Sequence, residues 1–189
     1  ALPLALLWAL PLIASLAMLL PPAADAAAWH MALAHPQLWP AMVLSLATGA
    51  ASTLIALTFS ILLLAGLYRT RAWDRLQALA AAGLAVPHLA FAIGFGFLVM
   101  PSGLIARVLV GGDVPPQWVT VQDPLGMTLT VALALKEIPF LLTAGFAVLS
   151  RGDAAQRRRA ECRAAASLGH APGSAFLRVV MPPLLAELR

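Results

Sequence analysis

The chain has 189 residues, of which 61% are hydrophobic and 11% are charged, whereas an average soluble domain has about 45–50% apolar and about 25% charged residues. This composition excludes an ordinary soluble domain and indicates a protein of the lipid bilayer. The formal net charge of +4 does not indicate nucleic-acid binding, because the arginines collect in two short segments beside hydrophobic blocks.

The first hydrophobic block, Leu2–Leu20, contains no charged residue and is long enough to cross a hydrocarbon core of about 30 Å as a helix. Blocks of this length, without the alternating pattern of a β-barrel, predict an all-α polytopic membrane helix bundle. The motif A-D-A at residues 24–26 resembles a signal-peptidase site, so cleavage is the alternative. The length of the apolar run favours a membrane anchor.

A second span is predicted at Pro40–Leu67 and a third at Leu76–Met100, the latter interrupted by Pro87. Between them, residues 68–75 contain three arginines together with a tyrosine and a tryptophan. This composition is typical of a helix end at the cytosolic face.

The third span is followed by a short interfacial helix, Leu104–Val110, and by an outer loop with Trp118 at headgroup level. The fourth span is predicted at Leu125–Leu149, and a fifth begins at Pro182. Residues 1–189 are interpreted as one transmembrane domain, truncated at both ends.

The arginines fix the predicted orientation of the bundle. Only Arg107 lies in the proposed outer loops, and nine lie in the two proposed inner segments. Since positive charge accumulates on the cytosolic side, we predict a cytosolic N-terminus. The nine inner arginines are Arg69, Arg71, Arg75, Arg151, Arg157, Arg158, Arg159, Arg163 and Arg178.

The cytosolic segment 151–182 is predicted to contain two helices. The first runs to Leu168 and is followed by Gly169, a residue suited to the left-handed position after a helix. The second begins at Pro172, because proline is favoured in the first turn.

One face of the first helix is apolar and made of small residues. Ala160, Ala164 and Leu168 recur every fourth residue and form this face, whereas Arg157, Arg158 and Glu161 point in other directions. A short face of this kind suits docking into a groove of a partner protein.

The same segment resembles the coupling loop of binding-protein-dependent ABC importer permeases, called the EAA loop. The family pattern is E-A-A, three residues, G, nine residues, then I-x-L-P, and the spacing here agrees. Arg163 occupies the place of the glutamate, with Glu161 two positions earlier. The matching residues are Ala164, Ala165, Gly169, Val179, Met181 and Pro182.

This resemblance implies a permease fold of the type I ABC importers, with the loop after the fourth of six spans. It implies as partners ABC ATPase subunits that carry ATP and Mg, a second permease subunit and a periplasmic solute-binding protein. The implied location is the bacterial inner membrane. Residues 87–97, 101–107 and 135–140 further resemble a subgroup associated with thiamine or iron uptake.

The chain contains no G-x-x-x-x-G-K-[ST] motif, so ATP hydrolysis is expected on a partner subunit, and no cofactor, metal or catalytic residue is expected in this chain. An ion-coupled secondary transporter is the first alternative function. A membrane-embedded enzyme is the second, although neither G-x-S-x-G nor H-E-x-x-H occurs.

Two charged residues, Lys136 and Glu137, lie near the middle of the fourth span. A charge there costs about 2.5–3.5 kcal/mol on insertion scales, so each side chain should meet another helix or water. Together with His88, next to Pro87, they are candidates for the translocation path. The alternative is a structural contact between helices.

Overall fold

The computed structural model describes residues 2–68, 70–111, 115–150 and 152–183, and all regular secondary structure in these ranges is helical. The prediction of an all-α polytopic fold is confirmed. By their internal contacts the residues divide into two units, Ala1–Leu46 and Ala47–Arg189.

The first unit contains a sharply bent helix pair. Helix α1 spans Leu2–Ala24 and helix α2 spans Ala26–Ala34, with an angle of 76° at the break between them. Asp25 makes this break, because its carboxylate accepts a hydrogen bond of 2.9 Å from the backbone N–H of Ala27 and so caps α2. The predicted block Leu2–Leu20 lies within α1.

Helix α3, Leu38–Leu67, begins in the first unit and continues into the second. The rest of the second unit is also helical. Its elements are α4 (Trp73–Ala85), α5 (His88–Val99), α6 (Leu104–Val110), α7 (Met127–Leu149), α8 (Gly152–Ser167) and α9 (Pro172–Ala175), the last continued by a π-helical turn, Phe176–Val180.

By length and hydropathy, three segments of the described chain qualify as membrane spans: Leu38–Leu67, His88–Val110 and Met127–Leu149. A fourth is added if α1 and α2 form one bent span. The predicted second and fourth spans therefore agree with the structure to within two residues at each end.

The third predicted span, Leu76–Met100, differs from the structure. The helix breaks between α4 and α5, and the segment that qualifies as a span starts at His88 and continues through α6. Pro87 causes the break, because it lacks a backbone N–H and pushes the preceding residue out of the helical region. Val86 accordingly has extended dihedral angles, φ −74° and ψ 120°.

The N-terminus of α7 is capped by Asp123. Its carboxylate accepts hydrogen bonds from the backbone N–H groups of Met127, at 2.6 Å, and Thr128, at 3.1 Å. The hydrogen bond from Met127 is the main cause that holds the pKa of Asp123 below its ordinary value of 3.8. Gly126, with φ +64°, takes the left-handed turn that precedes the helix.

The core of the second unit lies at one end of its long helices. It is formed by residues near the C-terminal ends of α3 and α7 together with residues of α4, α8 and the π-helical turn. Its buried members are Leu64, Ala65, Leu76, Ala80, Leu142, Phe146, Leu149, Cys162, Phe176 and Val180.

Aromatic side chains connect these elements around the core. The ring of Trp73 lies edge-on to Phe146, with a centroid distance of 4.8 Å, and to Tyr68 at 5.4 Å. Tyr68 in turn lies 5.3 Å from Phe176. The segment predicted to be cytosolic is therefore packed directly on the ends of the predicted spans.

Candidate functional site

An open pocket of about 260 Å³ lies beside the break between α4 and α5. It brings together all three membrane residues that the sequence singles out, His88, Lys136 and Glu137, and Leu84 and Phe140 complete its lining. Because α4 packs along α7, the pocket combines residues of α7 with residues on both sides of the break.

The ammonium group of Lys136 lies on the open end of α4. Its Nζ atom donates hydrogen bonds to the carbonyl oxygens of Gly83, at 3.1 Å, and Val86, at 2.5 Å. In a continuous helix the Gly83 carbonyl would accept from residue 87, but Pro87 has no N–H. Lys136 thus supplies the donor that the proline lacks.

A further contact ties Lys136 to α5. Its Nζ atom lies 5.8 Å from the centroid of the Phe91 ring, within the range of a cation–π interaction. Both hydrogen bonds described for Lys136 end on α4 and not on the neighbouring Glu137, in keeping with the expectation that each charge meets another helix or water.

Glu137 and His88 are exposed at the pocket. Glu137 follows Lys136 directly, so the two side chains leave α7 about 100° apart. Glu137 thus lines the pocket, while the ammonium group of Lys136 is engaged with backbone carbonyls. The assignment of these residues to a translocation path stays a prediction.

A close approach of two helices fixes the geometry beneath the pocket. A Cβ atom added to Gly83 would lie 2.7 Å from Cγ and 3.1 Å from Cβ of Pro139 on α7. A proline ring cannot rotate away as a flexible side chain does. Only glycine at this position lets α4 lie so close to α7 that Lys136 reaches its carbonyls.

The predicted turn after α8 is present. Gly169 has φ +86°, its N–H donates to the carbonyl of Ala166 at 3.0 Å, and the N–H of His170 donates to that of Ala165 at 3.1 Å. This pair of bonds around a left-handed residue is a Schellman motif. The next helix begins at Pro172, as predicted.

Helix α8 has two distinct faces. The predicted apolar face of Ala160, Ala164 and Leu168 is exposed, and Leu168 is 79% exposed. The opposite face is buried on the bundle through Arg158, Cys162 and Ala165. The spacing of i, i+4 and i+7 places these three side chains in one stripe.

Arg158 is the residue that sequence reasoning missed. Its side chain is only 4% exposed, and its guanidinium donates a hydrogen bond of 3.0 Å to the carbonyl oxygen of Val148 in the last turn of α7. A cation at this helix end binds a carbonyl of the last turn and opposes the negative end of the helix dipole. The sequence signal that could have identified Arg158 as buried is its spacing from Cys162 and Ala165, which places all three on one helix face.

The other predicted residues of the coupling loop are distributed over both faces. Ala165 is buried, whereas Gly169 and Pro182 are exposed. Glu161 and Arg163, the acidic residue near the motif and the residue in place of its glutamate, are both exposed.

Over 151 residues the chain is 33% identical to the inner membrane ABC transporter permease protein YnjC of Escherichia coli (strain K12). This similarity supports the ABC transporter permease family. The alignment covers 77% of the present chain but 28% of the length of the E. coli protein. No protein-family model and no solved structure matches the chain.

The E. coli relative is an inner membrane protein, and the present chain has three segments of membrane-spanning length and hydropathy among its described residues. These two findings agree on a membrane protein.

Proposed function

We propose that this chain is part of the transmembrane permease subunit of an ATP-driven importer of the ABC class. The observation that carries the proposal is the pair of faces on α8, one buried on the bundle and one exposed. A helix of this kind transmits movement between a partner on its exposed side and the spans on its buried side.

The exposed face of Ala160, Ala164 and Leu168 suits a groove on an ATPase subunit, which would hold ATP and Mg. On the buried side, Arg158 connects α8 to the last turn of α7. Movement of α8 therefore acts on the helix that carries Lys136 and Glu137.

The proposed assembly contains two permease subunits, two ATPase subunits and a periplasmic binding protein that delivers the solute. The N-terminus is on the cytosolic side of the inner membrane, so α8 faces the cytosol. The proposal draws its support from the distribution of arginines, the similarity to the E. coli permease and the spacing of the coupling motif.

The test uses cysteine labelling in the full-length protein, in a background with Cys162 replaced by alanine and any other cysteine removed. In one variant a cysteine replaces Leu168 on the exposed face of α8. In the matched control a cysteine replaces Val119, a residue of the loop before α7 that is 66% exposed. Membrane-impermeant maleimide is applied to vesicles of known sidedness, with and without the ATPase subunit.

We expect Leu168→Cys to react from the cytosolic side only and to be protected by the ATPase. Val119→Cys should react from the opposite side, with no protection. Reaction of Leu168→Cys from outside would refute the topology. Reaction from the cytosol without protection would refute ATPase docking, and uptake that then follows an ion gradient would establish the secondary transporter instead.

A further inference from the structure

The break between α4 and α5 lies far from the basic ends of α4 and α7. Lys136 is 13 residues before the end of α7 at Leu149, and the end of α4 is 12 residues after its beginning at Trp73. At 1.5 Å per residue both distances are about 20 Å. If the basic segments mark the cytosolic surface, the break lies within the hydrocarbon core, which is about 30 Å thick.

At that depth the lipid offers an open carbonyl group no hydrogen-bond donor, so the donor has to come from the protein or from water in the pocket. Several carbonyls lose their helical donor where α4 ends, among them that of Gly83, because Pro87 offers no N–H, and that of Val86, because its extended conformation turns it out of the helix. These two accept hydrogen bonds from Lys136. One cation from α7 therefore binds two carbonyls at the break, and it also lies near the Phe91 ring on α5.

We propose that Lys136 is a positioning residue, which holds the break between α4 and α5 as one wall of the transport pocket and leaves Glu137 and His88 to face the solute. This inference rests on the proposed transport function and deepens it. Lys136 lines the pocket, but its ammonium group is engaged by the two carbonyls; its proposed role is to determine where His88, the first residue of α5, is placed relative to Glu137.

Three features support this role over a contact that only stabilises the bundle. The bonds of Lys136 end on the two carbonyls beside the break and not on a distant part of α4. The close approach of Gly83 and Pro139 sets α7 within reach of these carbonyls. The break itself forms a wall of the pocket, because Leu84 and His88 lie on its two sides.

The experiment measures the bend directly. Spin labels are placed at Leu79 on α4 and Phe97 on α5, both exposed, in the full-length protein in lipid nanodiscs, with its natural cysteines replaced. Pulsed electron paramagnetic resonance gives the distance distribution. Lys136→Arg keeps a donor, Lys136→Met removes it, and Glu137→Gln is the control that removes the adjacent charge.

We expect Lys136→Met to broaden and shift the distribution, and Lys136→Arg and Glu137→Gln to leave it as in the wild type. Combining Lys136→Met with Pro87→Ala restores an N–H for the Gly83 carbonyl. We then expect a narrow distribution shifted toward the separation of about 27 Å that a straight helix gives over 18 residues. A wild-type distribution in Lys136→Met would overturn the proposal.

Uptake separates positioning from simple stabilisation. The double variant Lys136→Met, Pro87→Ala should be well folded, with a straight helix, yet lose uptake, since the wall of the pocket is gone. Wild-type uptake by this straight variant would overturn the proposal. If instead the wild-type protein shows no ATP-dependent uptake, the proposed function fails, while the distance measurements still decide whether Lys136 holds the break.

Discussion

The contact between Arg158 and Val148 leads to a prediction that can be tested by the labelling rate of Cys162. Cys162 lies one turn after Arg158 on the buried face of α8 and is 8% exposed, so a thiol reagent reaches it only when α8 lifts off the bundle. The substitution Arg158→Gln removes the guanidinium contact. Arg157→Gln removes the same charge from the neighbouring, exposed position and is the matched control.

The magnitude follows from the type of bond that is lost. A hydrogen bond from a charged group contributes about 1.5–3 kcal/mol, and the cation at the helix end adds a few tenths of a kcal/mol or more. We take about 2 kcal/mol for the loss in the free energy of opening. Since 1.4 kcal/mol is a factor of ten, the labelling rate of Cys162 should rise about 30-fold.

The assay is maleimide labelling of Cys162 in the full-length protein in detergent or nanodiscs, with any other cysteine replaced. Rates are divided by those of the same variant in denaturant. Arg157→Gln should change the rate by about twofold at most, as expected of a surface substitution.

An unchanged rate in Arg158→Gln would show that this bond does not hold α8 on the bundle. Equal increases in both variants would show that net charge, and not the contact with Val148, controls opening. Either result would remove the physical link between α8 and α7 on which the proposed transmission of movement depends.

Three further predictions concern single positions. Gly83→Ala should destabilise the protein by about 1–3 kcal/mol in thermal unfolding, because the added Cβ would lie 2.7 Å from the Pro139 ring. Gly49→Ala is the control and should have no such effect, since no atom lies within 4 Å of its added Cβ. Gly169→Ala should cost about 1–2 kcal/mol through its left-handed conformation alone, seen as faster labelling of Cys162, and an unchanged rate would contradict this. For Asp123 the folded-state pKa is depressed, so its stabilisation of α7 is present above its ordinary pKa of 3.8 and is lost as the pH falls through the lower folded value. Asp123→Asn should remove this part of the acid sensitivity in unfolding measurements from about pH 5 down to about pH 2, and an identical pH profile would refute it.

Local patterns predicted much of this fold. Apolar blocks gave the helices α3 and α7 to within two residues of their ends, and the pair Gly169 and Pro172 marked the turn between α8 and α9, because a helix end and a helix start depend on residues close in sequence. Pro87 was recognised as an interruption, but its full effect, the separation of α4 from α5, was not.

The sequence did not predict the contacts that connect helices. Lys136 lies in α7, the helix predicted as the fourth span, but its partners lie 50 and 53 residues earlier in the chain, and no local pattern specifies such a pairing. Arg158 was interpreted as one of several cytosolic arginines, since the rule that places arginines inside does not tell a solvated residue from a buried one. The contacts of both residues could be found only once the packing of α7 against its neighbours was known.

The bonds of Lys136 also bear on how the protein enters the membrane. The carbonyls of Gly83 and Val86 leave the ribosome some 50 residues before the lysine that binds them. Until α7 has been inserted, the broken helix exposes two open acceptors that lipid cannot satisfy. We expect α4, α5 and α7 to leave the insertion machinery as a group, and a chain halted before residue 136 to remain beside it.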